Sequence, residues 1–398
     1  MYFLSSIELV LWIVFFLSTA YISFFSLVSH KKRREQCQLH EKTNRYAVIF
    51  PAYREDAVIV ESVENFLAQG YPSANFTIVV VTDHMQSDTL KTLRSLPITV
   101  LEATYTQSSK AKALQLAMEH LDATGVFDGV VIMDADNHVD PTFLTEMNKR
   151  FNRGYRAIQA HRTMKNRNTQ VALLDGLSEE INNTIFRKGH VTIGLSAALS
   201  GSGMLLDYGW FATHVKELST AGEDKELELH LLREGVWIDY AESVYVYDEK
   251  TQTSDNFSNQ RRRWLGAQLN TFGMACRFIP EAIKTGNIDL LNKAIQWIQI
   301  PRSLLLGITT LGMLCGLLVH PGMGMRWASL WIIQIASLLL AIPPAYRSIR
   351  IVDALGSAIH LSGLMFLNLF KLKNSSKQFI HTQHGIDLES SKKKNEYK

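Results

Sequence analysis

The chain has 398 residues, with 41 Lys and Arg against 38 Asp and Glu, for a net charge of +3. So mild a basic excess leaves no nucleic-acid footprint. Its three scattered cysteines (Cys37, Cys276 and Cys315) give neither a disulfide framework nor a zinc spacing and suit a reducing compartment.

Residues 9–28 carry no charge and match the length of a bilayer core. A cleaved signal peptide would place bases before the apolar run; here Lys31, Lys32, Arg33 and Arg34 follow it. The run reads as a retained anchor, with the N-terminus outside and the following chain cytoplasmic.

From Arg45 the pattern becomes α/β. Residues 46–50 form a short apolar strand ending at Pro51-Ala52-Tyr53-Arg54-Glu55, and residues 57–69 show helical spacing that stops at Gly70-Tyr71-Pro72. A second strand, 76–82, runs into Asp83; a third covers 98–102; a helix over 110–121 carries Lys110 and Lys112. The continuous apolar run 130–133 reads as a buried strand of a parallel sheet. Beyond it stand Asp134 and Asp136, whose i, i+2 spacing points both carboxylates one way in an extended chain. In open α/β sheets ligands sit beyond the carboxyl ends of the strands. Two aspartates there suit Mg²⁺ or Mn²⁺, completed by water and phosphate oxygens; plain strand-end solvation is the alternative. Asp140-Pro141 reads as a helix cap and first helical residue. Strands alternating with helices argue for a parallel sheet covered on both faces.

Further on come a strand over 156–161 carrying Gln159, a helix over 169–188, and a glycine- and serine-rich run, 189–204, that includes Gly203. Such a run permits close backbone approach to a ligand; it lacks a Walker lysine, and a surface loop is the alternative. Thr220 and Glu223 fit a capping box for a helix over 225–233. Asp224 has no role in that box, and a helix N-terminus holds a carboxylate ionised, as a general base requires. Gln260-Arg261-Arg262-Arg263-Trp264 is either a basic collar at a membrane or a site where Arg meets phosphate and Trp meets a sugar face. Residues 303–319, 327–346 and 354–370 are candidate spans. Two crossings return Arg347 and Arg350 to the cytoplasm, while a third would export Lys371 and Lys373 against the charge rule, so the count stays at two or three.

These pieces, in this order, resemble the family 2 glycosyltransferases, inverting enzymes that use nucleotide-sugars. They resemble in particular the membrane-bound branch of cellulose, chitin, hyaluronan and poly-N-acetylglucosamine synthases. The likeness covers residues 47–264: Pro51–Glu55 as the first-strand motif, Asp83, Lys110-Ala111-Lys112-Ala113-Leu114, Asp134-Ala135-Asp136 as D-x-D, Glu223-Asp224 as E-D, and Gln260–Trp264 as Q-x-x-R-W. The run 194–204 is similar to bacterial exopolysaccharide-assembly members. Departures fall at Arg54, where Asn is usual, at His84 and Met85, where Gly and Ser are, and at Ser109 in place of Gly.

The resemblance implies an α/β fold of the GT-A type, a UDP-sugar donor and a β-linked product. Asp83, Lys110, Asp134, Asp136 and Arg263 would bind the nucleotide-sugar, with Mg²⁺ or Mn²⁺ on Asp134 and Asp136. Asp224 would deprotonate the acceptor, bordered by Gly203, Glu223, Gln260 and Trp264. The acceptor is a polysaccharide or a lipid-linked intermediate, and a partner subunit of a glycan assembly or export machine is possible. The expected order is an anchor (1–30), a cytoplasmic catalytic domain (45–265), an amphipathic connection (266–302), a membrane region (303–371) and a polar cytoplasmic tail (372–398), in a multi-pass protein of the inner membrane. A catalytically inactive membrane scaffold is the competing class.

Overall fold

The computed structural model describes residues 2–33, 42–124, 126–220 and 222–346. Eight strands form one sheet: β1 (Tyr46–Tyr53), β2 (Phe76–Asp83), β3 (Thr99–Ala103), β4 (Gly129–Ile132), β5 (His138–Val139), β6 (Ala157–Met164), β7 (Met204–Asp207) and β8 (Ile238–Asp248). Their order is β3-β2-β1-β4-β7-β6-β8-β5. The first four are mutually parallel, β7 runs antiparallel to both β4 and β6, and β5 is antiparallel to β8.

Alternation along β1 shows why both faces are covered. Ala47 and Ile49 enter one core with Leu114, Met118, Leu121 and Leu227; Tyr46, Val48 and Phe50 enter the other with Ile59, Val63, Phe66 and Phe143. Side chains of period two feed two faces, so a strand buried on both reads as an uninterrupted apolar run. The helix Ile59–Leu67 buries Ile59, Val63 and Phe66, one stripe at helical spacing.

β2 and β3 lie on one side of β1 and β4 on the other. The chain therefore reverses its direction of build at β1/β4, which makes a crevice at their carboxyl ends.

Four sequence expectations need correction here. Strands β5, β7 and β8 were not foreseen, so the sheet is mixed. Asp140 caps nothing with its side chain: the helix Phe143–Phe151 starts later, and the Asp140 carbonyl takes the Phe143 N–H at 3.0 Å. The helix over 169–188 runs as Gln170–Asn182, a π-turn at Asn183–Lys188 and a last turn Gly189–Thr192, so the irregular segment starts only at Ile193. The second C-terminal apolar segment begins not at 327 but at Pro321, where proline suits a first helical position.

Among the described residues, three helices are long and apolar enough to cross a membrane: Ser6–Val28, Arg302–Val319 and Pro321–Ala341. They pack through Phe15, Ile22, Phe25, Leu305, Trp327 and Leu330. Polar side chains bridge them, Gln334 donating to Thr19 at 2.8 Å and accepting from Thr309 at 3.0 Å. Arg33, read from sequence as one of four juxtamembrane bases, instead pairs at 2.6 Å with the fully buried Asp239 on β8. The candidate span 354–370, its flanking bases and the tail lie outside the described residues, as does Arg34.

Candidate active site

Three strands deliver the first residues of the site. Asp83 ends β2, opposite Tyr53 at the end of β1. It is buried and paired with His84 Nδ1 at 2.5 Å. The turns that follow both strands hold non-glycine residues in the left-handed region, Arg54 (φ 55°) and His84 (φ 56°), and the Arg54 N–H reaches the Asp83 carbonyl at 3.1 Å. Asn and Gly tolerate that conformation best, which is why they are usual at these two positions.

The D-x-D stretch is not extended. β4 stops at Ile132, and the Asn137 N–H closes a turn onto the Asp134 carbonyl at 3.2 Å. The two carboxylates take different partners. Asp134 faces Lys110 at 2.5 Å. Asp136 turns inward, where its Oδ2 accepts the Glu249 N–H at 2.8 Å and its Oδ1 the Asn137 amide at 3.1 Å. The i, i+2 rule behind the sequence reading does not apply to this turn, because it holds only while the backbone stays pleated.

Lys110 opens the helix Lys110–Thr124 and is the hub. Besides Asp134 it donates to the Gly201 carbonyl at 2.7 Å and lies 3.5 Å from Glu223. Burial works against its charge, but Asp134, Glu223 and Asp224 outweigh it and raise its pKa. Lys112 points away, to the Gln107 carbonyl at 2.8 Å.

Glu223 and Asp224 form the first turn of the helix Glu223–Arg233, whose cap residue, Gly222, makes no side-chain capping bond. The expected capping box is absent. Glu223 is buried against Lys110, and burial together with Asp224 and Asp134 pushes its pKa up to about 7 despite that cation. Asp224 keeps partial exposure and has Lys225 Nζ at 3.4 Å. Lys225 itself is held by the Leu199 carbonyl at 2.6 Å and Glu228 at 3.1 Å.

The glycine- and serine-rich run is no surface loop. Ser196, Ala197, Leu199 and Ser202 are buried. Gly201 (φ 82°) passes so close that a Cβ there would lie within 3.6–3.9 Å of Lys110, Glu223 and Asp224. Gly203, the residue singled out in sequence, sits deeper. Both its backbone groups are used by the sheet, its N–H on Ile132 at 2.9 Å and its carbonyl on Ala160 at 2.8 Å. Gly201, not Gly203, borders the crevice.

Two organising residues carried no motif. Gln159, fully buried on β6, spans the run by donating to Ser202 O at 2.8 Å and accepting from Ser200 N at 2.9 Å. Asn137 accepts the Asp134 N–H at 3.0 Å and the Ser202 hydroxyl. A glutamine set between the apolar Ala157, Ile158 and Ala160 was the available signal, since buried polar groups need partners.

Gln260, Arg263 and Trp264 lie on the helix Ser254–Ala275. This helix packs directly over the start of the Glu223 helix: a Cβ on Gly222 would meet Ala267 at 2.6 Å. Arg261 is stacked between Phe257 and Trp264 and paired with Asp175 at 2.5 Å.

The acidic groups Asp134, Glu223 and Asp224 outnumber the two lysines beside them, Lys110 and Lys225. That imbalance and the all-oxygen donor set fit a hard divalent ion. Among the described residues no three His, Cys, Asp or Glu side chains converge at ligand geometry. An ion here would thus draw on Asp134 and Asp136, with water and phosphate oxygens filling its shell.

Residues 44–267 match the family model "Glycosyltransferase like family 2". The chain belongs to this family. Among solved structures it is similar to the mannosyltransferase PcManGT from Pyrobaculum calidifontis, described in complex with GDP-Man and Mn²⁺, with a TM-score of 0.56 and 16% identity over 92% of this chain and 98% of that one. It is also similar to residues 1–349 of TarS from S. aureus, with a TM-score of 0.40 and 15% identity over 83% and 90% of the two chains. No curated protein sequence matches. The fold is GT-A-like, a mixed, curled sheet with helices on both faces, and the activity class is glycosyl transfer.

Proposed function

We propose that the protein is a membrane-bound inverting glycosyltransferase that moves a sugar from a UDP-sugar to a growing polysaccharide or lipid-linked acceptor. It would act in exopolysaccharide or cell-surface glycan synthesis, in the inner membrane, with its catalytic domain in the cytoplasm. The observation that carries this reading is the meeting of Lys110, Asp134, Gly201, Glu223 and Asp224 at the β1/β4 crevice of a family 2 domain.

In this reading Asp83 borders the nucleoside, while Lys110 and Arg263 hold the diphosphate. Asp134 and Asp136 hold Mg²⁺ or Mn²⁺, which when bound neutralises charge on the departing diphosphate. The Mn²⁺ described with the mannosyltransferase neighbour supports an ion of this class. Asp224, partly exposed at a helix N-terminus, takes the proton of the acceptor hydroxyl. Gln260 and Trp264 border the acceptor. Glu223 favours a second assignment of the base, because its raised pKa suits proton uptake near neutrality.

The test is a donor screen on full-length protein, read as nucleoside diphosphate release with Mg²⁺ or Mn²⁺. UDP-sugars and GDP-mannose should both be included, since the neighbour is described with GDP-Man. Asp224→Asn should lower turnover by about 10²–10⁴-fold with donor binding retained. Unchanged turnover in that variant, with loss in Glu223→Gln, would transfer the base to Glu223. No release from any donor would favour the scaffold reading.

A further inference from the structure

A band of buried charge joins β8, the helix Gln170–Asn182 and the helix Ser254–Ala275 to the first residue of the apolar helix Arg302–Val319. Arg162 and Lys250 both pair with Asp248, Arg187 pairs with Glu179 at 2.9 Å, and Arg261 with Asp175 at 2.5 Å. Arg302 lies beside Arg261 and Glu179. Five cations thus stand among the carboxylates Asp248, Glu179, Asp175 and Glu180, an excess of one positive charge.

The imbalance is sharpest at Arg302. Its Nη2 donates to the Ser178 carbonyl at 3.1 Å and hydroxyl at 3.0 Å. Its Nη1 is buried without a partner. Glu179, the carboxylate whose charge acts on it, is taken by Arg187, and a buried cation lacking a counter-ion is unfavourable.

Position narrows the ligand. Arg302 is the first residue of the apolar helix Arg302–Val319, which sets it at the depth of lipid headgroups. An arginine there ordinarily snorkels outward to water and headgroups; this one turns inward, onto Ser178 of the helix Gln170–Asn182. Arg261 lies behind it, stacked on Trp264. Gln260, next to Arg261, and Gln299, three residues before Arg302, each keep a side-chain oxygen buried without a donor, a match for sugar hydroxyls. Further along the same helix Leu311, Leu314 and Leu318 are exposed.

We propose that Arg302 and Arg261 form a phosphate site at the membrane surface that takes the phosphate or diphosphate of a lipid-linked acceptor, with its sugar toward Trp264 and its chain along the helix Arg302–Val319. The proposal rests on the glycosyl-transfer reading above and selects the lipid-linked acceptor within it. Arginine is suited to the task, because its planar fork binds phosphate oxygens in pairs.

The test uses full-length protein in phosphatidylcholine nanodiscs. Binding is titrated with a long-chain polyprenyl phosphate, the matching uncharged polyprenol, and inorganic phosphate, while UDP with Mn²⁺ is titrated in the same preparation. Polyprenyl phosphate should bind, and the other two should not at equal concentration. Arg302→Gln should weaken the lipid phosphate by about tenfold or more and leave UDP binding unchanged. Equal binding of polyprenol, or inorganic phosphate binding as tightly as the lipid, would overturn the site as drawn, as would an Arg302→Gln variant with wild-type affinity. The ligand comparison needs only wild-type protein, so it stands even if the variant fails to fold. Wild type that binds UDP but no lipid phosphate refutes this site alone, whereas wild type that binds no UDP refutes the UDP-sugar reading on which the site rests.

Discussion

Glu223 shows how a single residue can be misread from its neighbours. Sequence spacing fits a capping partner for Thr220; the folded chain buries it beside Lys110 and close to two other carboxylates. Because burial raises its pKa from 4.5 to about 7, the folded state binds more protons than the unfolded chain between those values. Stability should therefore fall as pH rises through that window and stay lower above it. Melting temperatures of the full-length protein from pH 4.5 to 8 would show this decline, and Glu223→Gln should flatten it. An unchanged slope in the variant would assign the pH dependence elsewhere. Arg54 is a second residue-scale case. It holds a left-handed backbone at φ 55°, and Arg54→Asn should stabilise the fold by about 1 kcal/mol, seen as a higher melting temperature.

At the scale of elements, the site depends on close approaches that only glycine allows. β7 threads between β4 and β6, and at its entry a Cβ on Gly203 would stand 2.7 Å from Val246 Cγ2, at φ 63°. Gly203→Ala should cost about 2–4 kcal/mol from overpacking and backbone strain together. Gly222→Ala should instead push the helix Ser254–Ala275 off the Glu223 helix, since its Cβ would meet Ala267 at 2.6 Å. Loss of turnover with a melting temperature lowered by only a few degrees would mark that helix as a cover of the crevice; full activity would show that the contact relaxes without consequence. The short strands β5 and β7 escaped the sequence reading because two to four residues carry no periodicity. The longer β8 escaped because its alternation is broken, with Glu242 and Ser243 exposed in succession beside a register shift against β6.

For the whole molecule, the N-terminal apolar helix is tied to the α/β domain by charge as well as by apolar packing. Arg33 and Arg150 share Asp239, which has no exposed surface. Asp239→Asn would leave two guanidiniums facing each other and should destabilise the protein by about 3–5 kcal/mol, measured by thermal unfolding in detergent. Much of this organisation was legible in the chain itself. The apolar runs set the long apolar helices and the first four strands, since burial on both faces demands uninterrupted apolar residues. The D-x-D, E-D and Q-x-x-R-W pieces marked the family, which the match over residues 44–267 bears out. What the tertiary structure alone decided is which of those residues meet. It gave Asp136 the Glu249 N–H as a partner, put Gly201 in place of Gly203 at the crevice, and brought Lys110 to Glu223 across more than a hundred residues. Spacing rules describe regular backbone within one element, whereas these contacts depend on where a turn breaks the pleat and on which strands the sheet sets side by side.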